Sequence, residues 1–209
     1  MSEQRTTDKK RIIIDTGCAN IASVKYAIER LGYPVTISDD PAQIQQADQV
    51  FLPGVGSAAQ AMQNLADKNL IEVIQQLTVP TLGICLGMQL MTRFSSEGNV
   101  ECLNLIPVDV QPLTADGKRV PHMGWNTFET INSHPVMAGI KPLDYVYYVH
   151  SFGINQADND REYTIASCEY GGEFACVIGK NNFVGVQFHP ERSGPVGSLI
   201  LKNFLEWTL

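Results

Sequence analysis

Few folds accept the order in which β-branched runs and helical repeats alternate over the first fifty residues. Arg11 to Asp15 (RIIID), Val35 to Ser38 and Gln49 to Leu52 read as strands. Between them, Ile21 to Leu31 places Ile21, Val24, Ile28 and Leu31 at helical spacing, with Asn20 as the expected cap and Gly32 as the stop. Asp39-Asp40-Pro41 then opens a second, short helix with proline in its first turn. A β-α-β-α-β order with short connections requires parallel strands and right-handed crossovers. The expected fold is therefore α/β: three layers, with a mostly parallel central sheet flanked by helices. In such sheets ligands bind beyond the carboxyl ends of the strands.

The third strand runs into Pro53-Gly54-Val55-Gly56-Ser57, a glycine-rich turn of the kind that can hold an anion. Ser57 can cap a helix from Ala58 to Leu65, and Asn69 to Leu77 carries further helical character. Val79 to Ile84 is a buried strand. Leu86 to Phe94 reads as a helix with Leu86, Leu90, Met91 and Phe94 on one face. Cys85 stands at the junction, two residues after Gly83 and two before Gly87. This is the glycine-flanked nucleophile elbow with cysteine in the nucleophile position. A sulfur there meets the amino end of a helix, where the dipole favours thiolate and free N–H groups can hold an oxyanion.

After a polar loop from Ser95 to Leu105 the helical period disappears. Val108 to Gln111, Thr127 to Ile131, Tyr145 to Ser151, Thr164 to Cys168 and Phe174 to Ile178 read as strands separated by turn residues, which implies additional antiparallel or mixed strands in the second half. Asn182 to Phe188 is a further buried strand. Gly194-Pro195 starts a last helix, Val196 to Leu205, expected to turn Leu199, Ile200, Phe204 and Leu205 to the core. No composition break marks a linker. The expectation is one domain over residues 11–209 behind a flexible polar tail of residues 1–10.

A cysteine nucleophile needs a base within reach and a group to orient that base. His189-Pro190-Glu191, directly after a strand, supplies both in three residues. Proline fixes the backbone between the two side chains and stops the sheet from continuing. His122, His134 and His150 have no carboxylate at such close spacing. The remaining bulk properties narrow the field. A net charge of −7 and the lack of a Lys/Arg run argue against nucleic-acid binding. Five cysteines at irregular spacing, without a C-x-x-C pair, argue against a disulfide framework or a zinc site, so no metal is expected. The polar start lacks a secretory apolar core, no stretch approaches membrane-spanning length, and the expected location is a reducing cytoplasm.

Gly83-Ile84-Cys85-Leu86-Gly87-Met88-Gln89 together with Gln187-Phe188-His189-Pro190-Glu191 resembles the signature of the class I glutamine amidotransferases. Leu52 to Gly56, Pro121 to Asn126 and Tyr147 to Phe152 are similar to the glutaminase subunits of imidazole glycerol phosphate synthase within that family. The resemblance runs from about Arg11 to the carboxyl end. It implies hydrolysis of glutamine through a thioester on Cys85, with His189 as base and then acid and Glu191 as orienter. The Leu86 N–H is implied as one oxyanion donor, and the Gly54-Val55-Gly56 loop as a second after a peptide flip. Gln89, Glu97, His150, Ser151 and Phe152 would hold the substrate. His122, Met123, Trp125 and Asn126 would lie at an interface. The implied partner is a cyclase subunit with a (β/α)8 barrel, forming a heterodimer that receives ammonia in histidine biosynthesis; no cofactor is implied. A glutaminase from another amidotransferase, a stand-alone γ-glutamyl hydrolase and a non-catalytic α/β module are the competing readings.

Overall fold

The computed structural model describes residues 9–17, 21–114, 116–157 and 161–209. The expected cap Asn20 and residues 1–8 of the amino-terminal tail lie outside the described residues. Lys10 is tied down: its N–H donates to the Asp48 carboxylate at 2.6 Å and its carbonyl accepts from Asp48 N–H at 2.8 Å.

The first half runs β1 (Arg11–Ile14), α1 (Ile21–Arg30), β2 (Thr36–Ser38), α2 (Pro41–Gln45), β3 (Gln49–Gly54), α3 (Ala58–Asp67), α4 (Ile71–Gln75), β4 (Thr81–Cys85) and α5 (Leu86–Leu90). There follow β5 (Phe94–Ser95), β6 (Val100–Glu101), β7 (Asp109–Pro112), β8 (His122–Thr127), β9 (Thr130–Ile131), β10 (Tyr145–His150), β11 (Phe152–Asn155), β12 (Thr164–Glu169), β13 (Glu173–Lys180), β14 (Phe183–Val186) and α6 (Gly194–Glu206).

Strands β2-β1-β3-β4-β14 form a parallel block. The sheet continues through antiparallel pairings of β13 with β14, β11 and β12, then β11 with β7. Helices cover both faces of the parallel block, and the period-2 alternation of β1 shows how. Ile13 packs with Val24 and Ile28 of α1 and Phe204 of α6, while Ile12 and Ile14 pack on the other side with Ile44 and Leu65. Strands buried on both faces have no polar side, which is why β1, β3, β4 and β14 read as unbroken apolar runs. Ser57 caps α3 by accepting the Gln60 N–H at 3.4 Å, and Asp40 caps α2 by accepting from Ala42 at 2.9 Å. Among the described residues no helix is long and apolar enough to cross a membrane.

Four expectations are corrected. Helix α5 stops at Leu90 rather than Phe94, because Thr92 Oγ1 donates to Gln89 O at 2.7 Å and Phe94 pairs instead with Glu101 and Asp109. The stretch 95–105 expected as loop carries β5 and β6, joined through Gly98 and Asn99 at positive φ. The strand expected over Thr127–Ile131 is split in two: β8 runs His122–Thr127 in register with β10 from His122↔His150 to Thr127↔Tyr145, and only Thr130–Ile131 forms β9, paired with β12. Leu199 lies off the buried stripe of α6, which runs through Gly197, Ile200, Leu201, Phe204 and Leu205; it is 37% exposed.

Candidate active site

Strand β4 ends and α5 begins at one residue, Cys85, with φ 54° and ψ −110°. A side-chain-bearing residue held there costs about 1–3 kcal/mol, and the surroundings enforce it. Cys85 pairs with Gly54 of β3, and Ile84 pairs with Val186 of β14 on the other side. The helix then folds back so tightly that a Cβ on Gly87 would stand 1.7 Å from Leu52 O. A Cβ on Gly83 would be 2.8 Å from Gly87 O. Glycine at both places is the condition for the turn.

His189 follows β14, and Pro190–Arg192 form a single 3-10 turn that brings Glu191 back to it. Glu191 Oε1 and His189 Nδ1 are 2.9 Å apart, with both side chains buried. The backbone of His189 is clamped: its N–H donates to Tyr147 O at 2.9 Å, and its carbonyl accepts from Ser193 Oγ at 2.6 Å. Nε2, the other ring nitrogen, is buried and makes no hydrogen bond among the described residues. Burial disfavours the charged ring, but the neighbouring Cys85 sulfur and the Glu191 carboxylate together outweigh it and push the His189 pKa up to about 10. The shift favours the imidazolium form, paired with Glu191 through one nitrogen and with the other beside the Cys85 sulfur.

The sulfur opens on a cavity of about 140 Å³. Clefts that take drug-sized ligands are roughly 300–1,000 Å³, so this one fits a single small molecule. The structure brings Cys85, Leu86, His189, Val55, Gly56, Gln89, Glu97, His150, Ser151 and Phe152 to its wall. Gly54 and Glu191 stand behind that wall, around a smaller gap with His189 and Val55. Gly56 has φ +97°, a conformation open to glycine, and its neighbour Ser57 begins α3. One Glu97 oxygen accepts the Ala58 N–H at 3.0 Å, which ties the carboxylate to the same helix start. Gln89 spends its amide hydrogens on Phe152 O and Gln187 Oε1, both at 2.9 Å.

The Pro121 to Asn126 stretch divides by strand alternation. Met123 (63% exposed) and Trp125 (55% exposed) point outward from β8. Tyr147, cross-strand from Trp125, meets its ring at 5.8 Å and carries the Arg192 guanidinium at 4.5 Å. His122 does the opposite and is corrected: it is buried, stacked on Tyr170 at 3.9 Å and Tyr148 at 4.7 Å, and makes no outer surface. Asn126 is half-buried and donates to Glu169 O at 3.0 Å.

Sequence reasoning assigned no role to Gln187. It is fully buried, and its Nε2 lies 3.8 Å from Cys85 Sγ. The signal was present in the alternation of the strand end, which sends residues 187 and 189 the same way. The other described cysteines are buried and form no disulfide among the described residues. Burial pushes Cys102 up to about 11 and Cys168 up to about 12, and holds Cys176 well above the usual thiol value, so none is a nucleophile at neutral pH. Among the described residues no group of three His, Cys, Asp or Glu side chains converges as metal ligands.

A thiol made ready by a histidine, with the histidine held by a carboxylate, is acyl-transfer chemistry. The sequence profile described as Glutamine amidotransferase class-I matches residues 12–207, and the chain belongs to that family of enzymes. Within it, the chain is 55% identical to the imidazole glycerol phosphate synthase subunit HisH of Colwellia psychrerythraea, over 96% of this chain and 94% of that one. It is 54% identical to the subunit of the same name from Idiomarina loihiensis, over 95% of this chain and 98% of that one. A crystal structure of a glutamine amidotransferase superposes with a TM-score of 0.72 at 14% identity, covering 93% of this chain and 97% of the other.

Proposed function

We propose that this chain is the glutaminase subunit of an imidazole glycerol phosphate synthase, with residues 11–209 as one catalytic domain, working in a reducing cytoplasm that leaves Cys85 unoxidised. The observation that carries the chemistry is the buried His189 ring next to the Cys85 sulfur, with Nδ1 bound to Glu191 and Nε2 making no hydrogen bond to oxygen or nitrogen among the described residues.

The steps follow from that pair. The Cys85 thiolate attacks the side-chain amide carbon of glutamine. The C–N bond breaks as His189 gives its proton to the departing nitrogen, releasing ammonia and leaving a thioester. The sulfur is then uncharged, so one of the groups that held the His189 proton is gone. The ring, now neutral, takes a proton from water as that water attacks the thioester; the C–S bond breaks, the sulfur departs as thiolate beside the reprotonated ring, and glutamate leaves. The Leu86 N–H at the start of α5 is the first oxyanion donor. An N–H from Gly54-Val55-Gly56 is the second after a peptide rotation that Gly56 permits. Glu97 pairs the substrate ammonium with the oxygen not bound to Ala58 N–H. Gln89 and the backbone of His150 to Phe152 fix the rest of the amino acid.

The partner is a cyclase subunit built as a (β/α)8 barrel. Its docking face is the outward side of β8 and β10, where Met123, Trp125 and Tyr145 (57% exposed) lie in one register beside Leu143 (83% exposed). Large apolar side chains so exposed mark an interaction site. Ammonia made without that partner is wasted, so the loop rotation is the expected point of control.

The deciding experiment is glutamine hydrolysis by the purified chain, alone and with the cyclase subunit carrying its nucleotide ligand. A rise of about 100-fold or more with the loaded partner is expected, a coupling of about 3 kcal/mol. A rate already high alone and unchanged by the partner would move the chain to another glutaminase of the class. A pH profile tests the couple separately. The free enzyme needs the His189 proton, so kcat/KM is expected to fall on the alkaline side with a midpoint near the His189 value of about 10. Glu191→Gln removes a charge that raises that pKa, and is expected to bring the midpoint down by about one unit or more. An unmoved midpoint would remove Glu191 from the couple. The same sign governs stability: the ion pair's contribution is complete below the ordinary value of 6.5 and is lost as pH climbs toward about 10.

A further inference from the structure

The orientation of Gln187 follows from a backbone oxygen that can only accept. Gln89 Nε2 lies 2.9 Å from Phe152 O, so that end of Gln89 is the amide nitrogen. Its second hydrogen points to the Gln187 oxygen at 2.9 Å. Gln187 is left with its NH2 toward Cys85 Sγ, at 3.8 Å. Phe152 O is itself pinned from the other side. His150 Nδ1 lies 2.9 Å from it and must donate. Burial keeps both imidazoles of the next contact neutral, with pKa values lowered to about 3 for His150 and about 4 for His122. His150 Nε2 is then an acceptor, so His122 Nδ1, 3.0 Å away, carries the hydrogen. His122 Nε2 is left to accept from Asn126 Nδ2 at 3.4 Å. Asn126 is oriented in turn, since its oxygen accepts the Thr127 N–H at 2.9 Å. Two runs of donors therefore meet at Phe152 O, and no amide or ring along them can flip alone without setting donor against donor or acceptor against acceptor.

We propose that Gln187 is a catalytic residue: its side-chain amide donates to the Cys85 sulfur, favouring the thiolate, in an orientation imposed through Gln89 and Phe152 O. The inference rests on Cys85 being the nucleophile. It gives a function to a fully buried amide that packing alone would have filled with an apolar side chain. A hydrogen bond to the charged form lowers the pKa of a thiol. The other titratable groups around the sulfur are His189 beside it, Glu191 behind His189, and His150 and Glu97 in the cavity wall; the substitution used below leaves all of them in place.

The test is the rate of Cys85 alkylation by iodoacetamide against pH, read at that residue by peptide mass spectrometry, in the full chain and in Gln187→Met. Methionine keeps the length and removes the donor. The acid limb of the profile is expected to move up by about one pH unit in the variant. An unmoved limb in a folded variant overturns the proposal while leaving Cys85 as nucleophile. An unreactive Cys85 in the unaltered chain overturns both. If the variant does not fold, the unaltered chain decides by NMR. The side-chain amide signal of Gln187 is expected to titrate with the same midpoint as alkylation, and a signal flat across that range overturns the role.

Discussion

Cys85→Gly is expected to abolish glutamine hydrolysis and to make the protein more stable. Loss of the sulfur removes the covalent route and leaves a cavity with no nucleophile, so the rate falls by about 10⁴-fold or more. The same change frees the backbone at φ 54°, ψ −110°, where any side chain is strained by about 1–3 kcal/mol. Part of that gain is offset by the extra freedom of glycine in the unfolded chain, about 0.5–1 kcal/mol. A net increase of about 1 kcal/mol corresponds to a Tm higher by about 2–4 °C. Cys85→Ala is the control: it should lose activity equally while keeping the strain and gaining no Tm. Calorimetry on the two variants separates the effects. A glycine variant that melts below the alanine variant would show that the elbow stores no strain.

Gly87→Ala should cost about 3 kcal/mol or more, a Tm drop of about 6–12 °C, and remove activity in whatever folded protein remains. One methyl group is enough because it would sit 1.7 Å from Leu52 O, a backbone atom of β3 that is itself bonded into the sheet and cannot swivel aside. The helix start would have to lift off the strand, carrying the Leu86 N–H away from the sulfur. Gly172→Ala is the comparison, since its nearest neighbour, Thr114 Cβ, would be at an ordinary 3.4 Å. Urea melts of the two variants side by side measure the difference. Equal midpoints would mean that the close approach at Gly87 is tolerated.

The parallel half of the fold was legible because its inner strands β1, β3, β4 and β14 are buried on both sides and its helices on one, so period and composition agree. The Cys85 and His189 motifs were legible as well. Each lies at a strand end, and the parallel pairing of β4 with β14 brings together parts of the chain about a hundred residues apart. The second half was harder. His122-Met123-Gly124-Trp125-Asn126 has little strand propensity of its own; its conformation is dictated by the register with β10, which no local window contains. The inward turn of His122 followed from that same missed strand, since alternation decides its side only once the strand is known. Gln187 opens the Gln187-Phe188-His189-Pro190-Glu191 motif, yet its bond to sulfur depends on Gln89 and Phe152, which lie far away along the chain.

The outward side of β8 and β10 bears on how the cell must handle this protein. A newly made chain presents Met123, Trp125, Leu143 and Tyr145 to water until something covers them. Surplus copies would be the first molecules to cluster with one another or to be captured by chaperones and proteases that recognise greasy surfaces. Under the docking proposed above, production of this chain would have to keep pace with production of its cyclase partner. An imbalance would show itself as a short lifetime of the excess chain rather than as unused activity.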